Sequence, residues 1–231
     1  MLSELLHTPL FGIGLTVGVY ALAQLLYVRT NNMLFNPVFV SMAGIILLLD
    51  FSHIPYKDYA VGGRYILFLL GPAVVALGAP LYSRRREILA KKVPILVGVL
   101  AGSISSVISA SGLAWLLGGS HKVVLSLAPK SVTTPIAIGI VAKIGGIPSL
   151  TAALVVLTGC LGAICGPEFC RLIGVRDSAA MGLAVGTASH GIGTARMLEV
   201  DRLGGAMAGL AIGLNGLITA FLIPLLFVFF R

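Results

Sequence analysis

Polar and apolar positions in this chain fall into long blocks. Apolar runs cover roughly 8–28, 34–50, 65–82, 93–118, 148–170 and 206–230. Most are close to the ~20 residues that a helix needs to cross hydrocarbon, and 34–50 is at the short limit. A soluble protein built from such segments would have no amphipathic faces left to meet water. Between and beside the last runs lie two stretches, about 121–146 and 178–205, where short polar, helix-breaking motifs interrupt apolar sequence. The first motif is Pro129-Lys130-Ser131-Val132-Thr133-Thr134-Pro135, and the second is Gly186-Thr187-Ala188-Ser189-His190-Gly191-Ile192-Gly193-Thr194-Ala195-Arg196. The pattern predicts an all-α polytopic membrane protein, with about six transmembrane helices plus two broken or re-entrant helical hairpins.

Composition agrees: 58% of residues are hydrophobic and 10% charged, against about a quarter charged in soluble domains. The net charge of +8 is spread along the interhelical loops, so it reads as topology and not as nucleic-acid binding. Arg84, Arg85, Arg86, Lys91 and Lys92 crowd the loop after the third run, against the single acid Glu87. The positive-inside rule places that loop in the cytoplasm. Counting backward, Arg29 falls inside and the Asp50–Arg64 loop outside, so both termini are expected outside. The N-terminus carries Glu4 and no basic cluster, as for a retained first span.

In hydrocarbon, backbone N–H and C=O groups must be paired, so Pro and Gly interruptions survive only where protein or a wet cavity covers them. Two such interruptions in corresponding positions point to the binding site of a secondary transporter. A shift of 60 lays Ala128 on Ala188, Lys130 on His190, Thr134 on Thr194 and Gly145 on Gly205. A shift of 57 lays Gly159 on Gly216, Ala163 on Ala220 and Pro167 on Pro224. The chain therefore reads as one membrane domain, 1–231, made of N-terminal helices (1–118) and two broken-hairpin repeats (119–172 and 173–231). If 121–146 dips in and returns, Arg171 and Arg176 land inside, as positive-inside prefers; the second repeat is then inverted relative to the first. Fully crossing broken helices remain the alternative.

The motifs carry anion chemistry. Ser131, Thr133, Thr134, Thr187, Ser189 and Thr194 supply hydroxyls. Gly191 and Gly193 supply backbone N–H groups, and half-helix N-termini carry partial positive charge. Lys130, His190 and Arg196 add cationic character at membrane depth. The set suits a small carboxylate bearing hydroxyl or keto oxygens. The competing reading has the hydroxyls back-bonding to helix carbonyls while Lys130 and Arg196 snorkel to an interface. His190, whose side chain ordinarily titrates near 6.5, could couple proton movement to anion movement. Glu199 is close enough to pair with Arg196. Asn36-Pro37 is a cap and first residue of the second span, with Asn36 a weaker substrate candidate. Cys160, Cys165 and Cys170 lack CxxC spacing and read as packing residues. The sequence holds no HExxH, P-loop or EF-hand pattern, no cofactor motif and no nucleophile–base–orienter set, so an enzyme is not expected.

Pro129-Lys-Ser-Val-Thr-Thr-Pro-Ile-Ala137, Gly145-Gly-Ile-Pro148 and Gly186-Thr-Ala-Ser-His-Gly-Ile-Gly-Thr-Ala-Arg196 resemble the signatures of the LrgB/CidB family. Pro72-Ala-Val-Val-Ala-Leu, Pro80-Leu-Tyr82 and Asn36-Pro37 resemble it too, so the likeness covers nearly the whole chain. The resemblance implies a multi-pass protein of the bacterial plasma (inner) membrane. It implies either of two functions. One is antiholin-like control of murein hydrolase export and lysis, beside a small LrgA/CidA-type membrane partner. The other, by similarity to the LrgB-like part of the plastid glycolate/glycerate translocator and to relatives linked to pyruvate uptake, is transport of small monocarboxylates. A homodimer is expected by analogy, because a moving core needs a fixed partner.

Overall fold

The computed structural model describes residues 7–30, 32, 35–76, 78–83 and 85–229, so Glu4 and Arg84 lie outside the described residues. Regular structure among them is helical: α1 (Pro9–Thr30), α2 (Pro37–Phe51), α3 (Tyr56–Ala76), α4 (Gly78–Ser83), α5 (Arg85–Ala90), α6 (Lys92–Leu116), α7 (His121–Leu127), α8 (Thr134–Ile144), α9 (Pro148–Leu172), α10 (Ser178–Val200) and α11 (Arg202–Phe229). Four of these, α1, α6, α9 and α11, are long and apolar enough to cross a bilayer. α2, with 15 residues, and α8, with 11, are apolar but shorter. The third apolar run is split between α3, which contains Pro72 and ends at Ala76, and the short α4. The chain forms two compact units, 1–76 and 77–231.

In the first unit α1 packs on α2 and α3. Gly12 and Gly62 let two backbones approach: a Cβ on Gly12 would stand 2.9 Å from the Gly62 Cα. Thr16 Oγ1 and the Tyr59 hydroxyl meet at 3.0 Å beside this contact. α2 starts as its sequence prescribes. Pro37 occupies the first turn, where a missing N–H costs nothing, and Asn36 Oδ1 accepts from the Val38 and Phe39 amides at 3.0 and 3.3 Å.

The second unit contains both breaks. α7 stops at Leu127, the run 128–133 is irregular, and Pro135 sits in the first turn of α8. Gly145, with φ 86°, closes α8 in the left-handed conformation that a β-carbon disfavours. The Ile147 amide then donates to Ser126 Oγ at 2.8 Å and Thr151 Oγ1 to the Ser126 carbonyl at 3.0 Å, so the chain comes back to where it left α7.

α10 is two arms joined at His190, whose φ of 44° and ψ of −137° lie outside the helical region. Met197 from the second arm packs with Met181 and Val185 from the first, and Gly193 lies against Ser189. α11 follows, and its Gly204 and Ala208 backbones meet Gly182 and Gly186 of the first arm, closely enough that a Cβ on either glycine would strike them. The pairs 182/204 and 186/208 keep one offset, so α11 runs parallel to that arm. Each broken stretch is thus two short arms followed by a long helix.

Candidate functional site

A cavity of about 760 Å³ opens in the second unit. Its walls are Lys91 and the Pro94–Ser109 face of α6, Lys130 and Ser131 from the first break, Asp177 and the Ala179–Ala188 face of α10, and Met207 of α11. Most of this lining is small or apolar, which leaves its few polar groups to decide what can bind.

Lys130 is the cation of this cavity's polar end. Its half-buried ammonium donates to Ser106 Oγ at 3.2 Å and to Ser131 Oγ at 3.0 Å, and the two hydroxyls lie 2.8 Å apart. Among the described residues its partners are these hydroxyls, with no carboxylate in ion-pair range. An ammonium has three N–H groups, of which two are used here. One hydroxyl donates to the other, leaving one O–H and one N–H directed elsewhere. Two adjacent donors on a cationic centre match the two oxygens of a carboxylate. Thr187 lines the same cavity.

Behind the lining stands Asn215, 1% exposed. Its Nδ2 donates to the Ser131 carbonyl at 3.0 Å and to the Thr187 carbonyl at 2.9 Å, one from each break. Its Oδ1 accepts from Ser103 at 2.6 Å and from Thr219 at 3.1 Å. Sequence reasoning named neither Asn215 nor the α6 serines Ser103 and Ser106 as site residues. The available signal was a single carboxamide in a long apolar helix, a residue type that costs free energy there unless fully bonded.

The remaining candidates divide. Lys130, Ser131 and Thr187 line the cavity; Thr133, Thr134, Ser189, His190, Gly191, Gly193, Thr194 and Arg196 do not. His190 is buried and its Nε2 donates to the Val155 carbonyl of α9 at 2.9 Å. Thr194 Oγ1 donates to the His190 carbonyl at 2.9 Å, the back-bonding that a buried threonine makes in a helix. Ser189 is buried in the contact of α10 with Gly162. Gly191 is exposed and Gly193 packs on Ser189. Thr133 is the N-cap residue of α8 and Thr134 its first residue. Arg196 donates to Glu199 at 3.1 Å and to Glu168 of α9 at 3.3 Å. Asn36 belongs to the first unit, where its side chain caps α2.

The profile of the LrgB-like family matches residues 16–229. The uncharacterized protein YxaC of Bacillus subtilis (strain 168) is 40% identical over 211 residues, covering 91% of this chain and 92% of the relative. No solved structure matches the chain. The family match spans both units and both polar breaks with the long helices that follow them. This chain belongs to the LrgB-like family.

Proposed function

We propose that this protein is a secondary transporter of small monocarboxylates, of the pyruvate, glycolate and glycerate kind, working in the bacterial plasma membrane. The observation that carries the reading is Lys130, a half-buried ammonium with two hydroxyl partners and no carboxylate partner among the described residues, facing a cavity of about 760 Å³. A cation held at membrane depth without a counter-ion favours an anionic guest. The acid Asp177 lines the same cavity, so a singly charged guest suits it better than a doubly charged one.

The proposed topology has six crossings, with α1, α6, α9 and α11 among them, and two re-entrant hairpins entering from opposite faces. Support for the first hairpin is the 2.8 Å bond from the Ile147 amide to Ser126, because a helix running on in one direction over the residues between them would separate the two by ~30 Å. Support for the second is the packing of Met197 against Met181 and Val185. Lys91 and Asp177 line one cavity, which favours a cytoplasmic side for both the 84–92 loop and the Arg171–Arg176 loop. On that topology the cavity opens inward. Proton symport through His190, a homodimer and a separate LrgA/CidA-type partner complete the proposal, and effects on lysis would follow from altered carboxylate flux.

The test is uptake of labelled pyruvate, glycolate and glycerate into proteoliposomes, with and without the small partner protein. Saturable uptake is expected, and Lys130→Gln should weaken it by about 10- to 100-fold, the scale of a lost charge-assisted hydrogen bond. Absence of uptake in both preparations would end the transport reading in favour of an antiholin-like regulator.

A further inference from the structure

We propose that Asn215 is the positioning residue of this site: it ties the two breaks to each other and aims Ser131 and Thr187 into the cavity. The inference rests on the reading of that cavity as the substrate seat. It starts from valence. A carboxamide has two N–H donors and two acceptor lone pairs, and Asn215 uses all four, on Ser131, Thr187, Ser103 and Thr219. An aspartate in its place would have no donor for either carbonyl, and a leucine would have no polar group at all.

Both carbonyls belong to the breaks. Ser131 lies in the irregular run before α8, with Pro135, which has no N–H, four residues on, and Thr187 lies in the last turn before the kink at His190. Asn215 satisfies both from the protein interior while the Ser131 and Thr187 residues line the cavity. Asn215 does not itself line the cavity, so it acts through these two. Ser103 extends the arrangement to α6: one turn further along that helix, Ser106 bonds Lys130 and Ser131. Each hydroxyl of the seat is therefore referenced to one buried amide.

The internal shift gives this a counterpart. On the shift of 57 that aligns the two long helices, position 215 corresponds to 158, one helical turn from Val155. At 155 the contact is reversed in polarity, for there the break supplies the side chain, His190, and the long helix supplies the carbonyl. Each break is thus held by the long helix that follows the other break, within one turn of the corresponding level. Asn215 differs in holding its own repeat's break as well, through Thr187.

The experiment has a substrate-free arm and a substrate arm. In a chain carrying Cys160→Ala, Cys165→Ala and Cys170→Ala, single Ser131→Cys, Thr187→Cys and Ser109→Cys variants are labelled with a small thiol reagent, with and without Asn215→Ala. Loss of Asn215 should change the rates at 131 and 187 together, by about 5-fold or more, and leave 109 within twofold. In proteoliposomes taking up labelled glycolate, Asn215→Ala should raise the half-saturating concentration by about 10-fold, and Ser131→Ala should then cost much less than it does alone. A merely structural asparagine would give additive losses. If wild type takes up nothing yet the labelling rates at 131 and 187 shift, the positioning role stands and the transport reading falls. If wild type transports while the folded Asn215→Ala chain labels and binds normally, the positioning role is wrong. Should Asn215→Ala not fold, Ser103→Ala removes one donor to Asn215 from outside the breaks, and unchanged labelling at both positions would overturn the proposal.

Discussion

His190 Nε2 donates a 2.9 Å hydrogen bond to the Val155 carbonyl, joining the second break to the N-terminal third of the long helix that follows the first. A carbonyl only accepts, so this ring nitrogen carries its hydrogen, and a further proton would be taken at Nδ1. The bond therefore survives a change in the charge of the ring. His190 also holds a backbone conformation, φ 44° and ψ −137°, that a residue with a β-carbon adopts at a cost of about 1–3 kcal/mol.

These facts make His190→Gln an informative variant, since glutamine can still donate to Val155 but cannot titrate. Uptake of labelled glycolate is measured under an imposed pH gradient at fixed membrane potential. Acid on the substrate side should speed wild-type uptake, because on the proposed symport a proton accompanies each anion. His190→Gln should transport with that dependence removed. A variant that keeps the wild-type gradient response would show that His190 is not the coupling residue.

Arg196 provides a second case. Its guanidinium spans Glu199 and Glu168, and its side chain is only 15% exposed. Arg196→Gln should lower stability by about 1–2 kcal/mol, between the values typical of exposed and buried pairs, as a fall in the thermal midpoint in detergent. Adding Glu168→Gln should recover part of that loss. Substrate affinity should stay within about threefold, because Arg196 lies outside the cavity lining. Lost affinity at unchanged stability would return Arg196 to the substrate site.

Close packing of the second break against α11 gives a prediction about stability alone. A Cβ on Gly186 would lie 2.6 Å from the Ala208 Cα, and backbone cannot swing aside as a side chain can. Gly186→Ala should therefore destabilise by about 1–3 kcal/mol. Gly213, on the same helix as Ala208, has open space where a methyl group would stand, so Gly213→Ala should be neutral or gain up to about 1 kcal/mol from helix propensity. Equal thermal midpoints for the two variants would contradict the packing described for α10 and α11.

Topology can be read with membrane-impermeant thiol reagents in the cysteine-free chain. Arg86→Cys and Arg176→Cys should both label from the cytoplasmic side only, as two loops on one face must. Labelling of Arg176→Cys from the outside would replace the re-entrant hairpin with a fully crossing broken helix.

Some of this architecture is local and could be read along the chain. Asn36 caps α2 because its acceptor and the amides it serves are two and three residues apart. Arg196 and Glu199 meet because residues three apart share a helix face. The two breaks announce themselves because Pro and Gly interrupt hydrocarbon-grade sequence, and a shift of 60 lays one on the other. Membrane class, the broken stretches and the cation at Lys130 all follow from composition and spacing of this kind.

What tertiary structure alone decided is which groups converge. Asn215 reaches carbonyls 84 and 28 residues away, and Ser106 meets a hydroxyl 25 residues away. No periodicity encodes those meetings, because they depend on the register in which α6, α10 and α11 pack. The same register separates residues that the repeat made equivalent. Lys130 keeps its ammonium on the cavity, whereas His190, turned by its positive φ, is committed to Val155. Motif membership measured polarity at membrane depth; the direction of each polar group was settled by the backbone carbonyls that folding left within its reach.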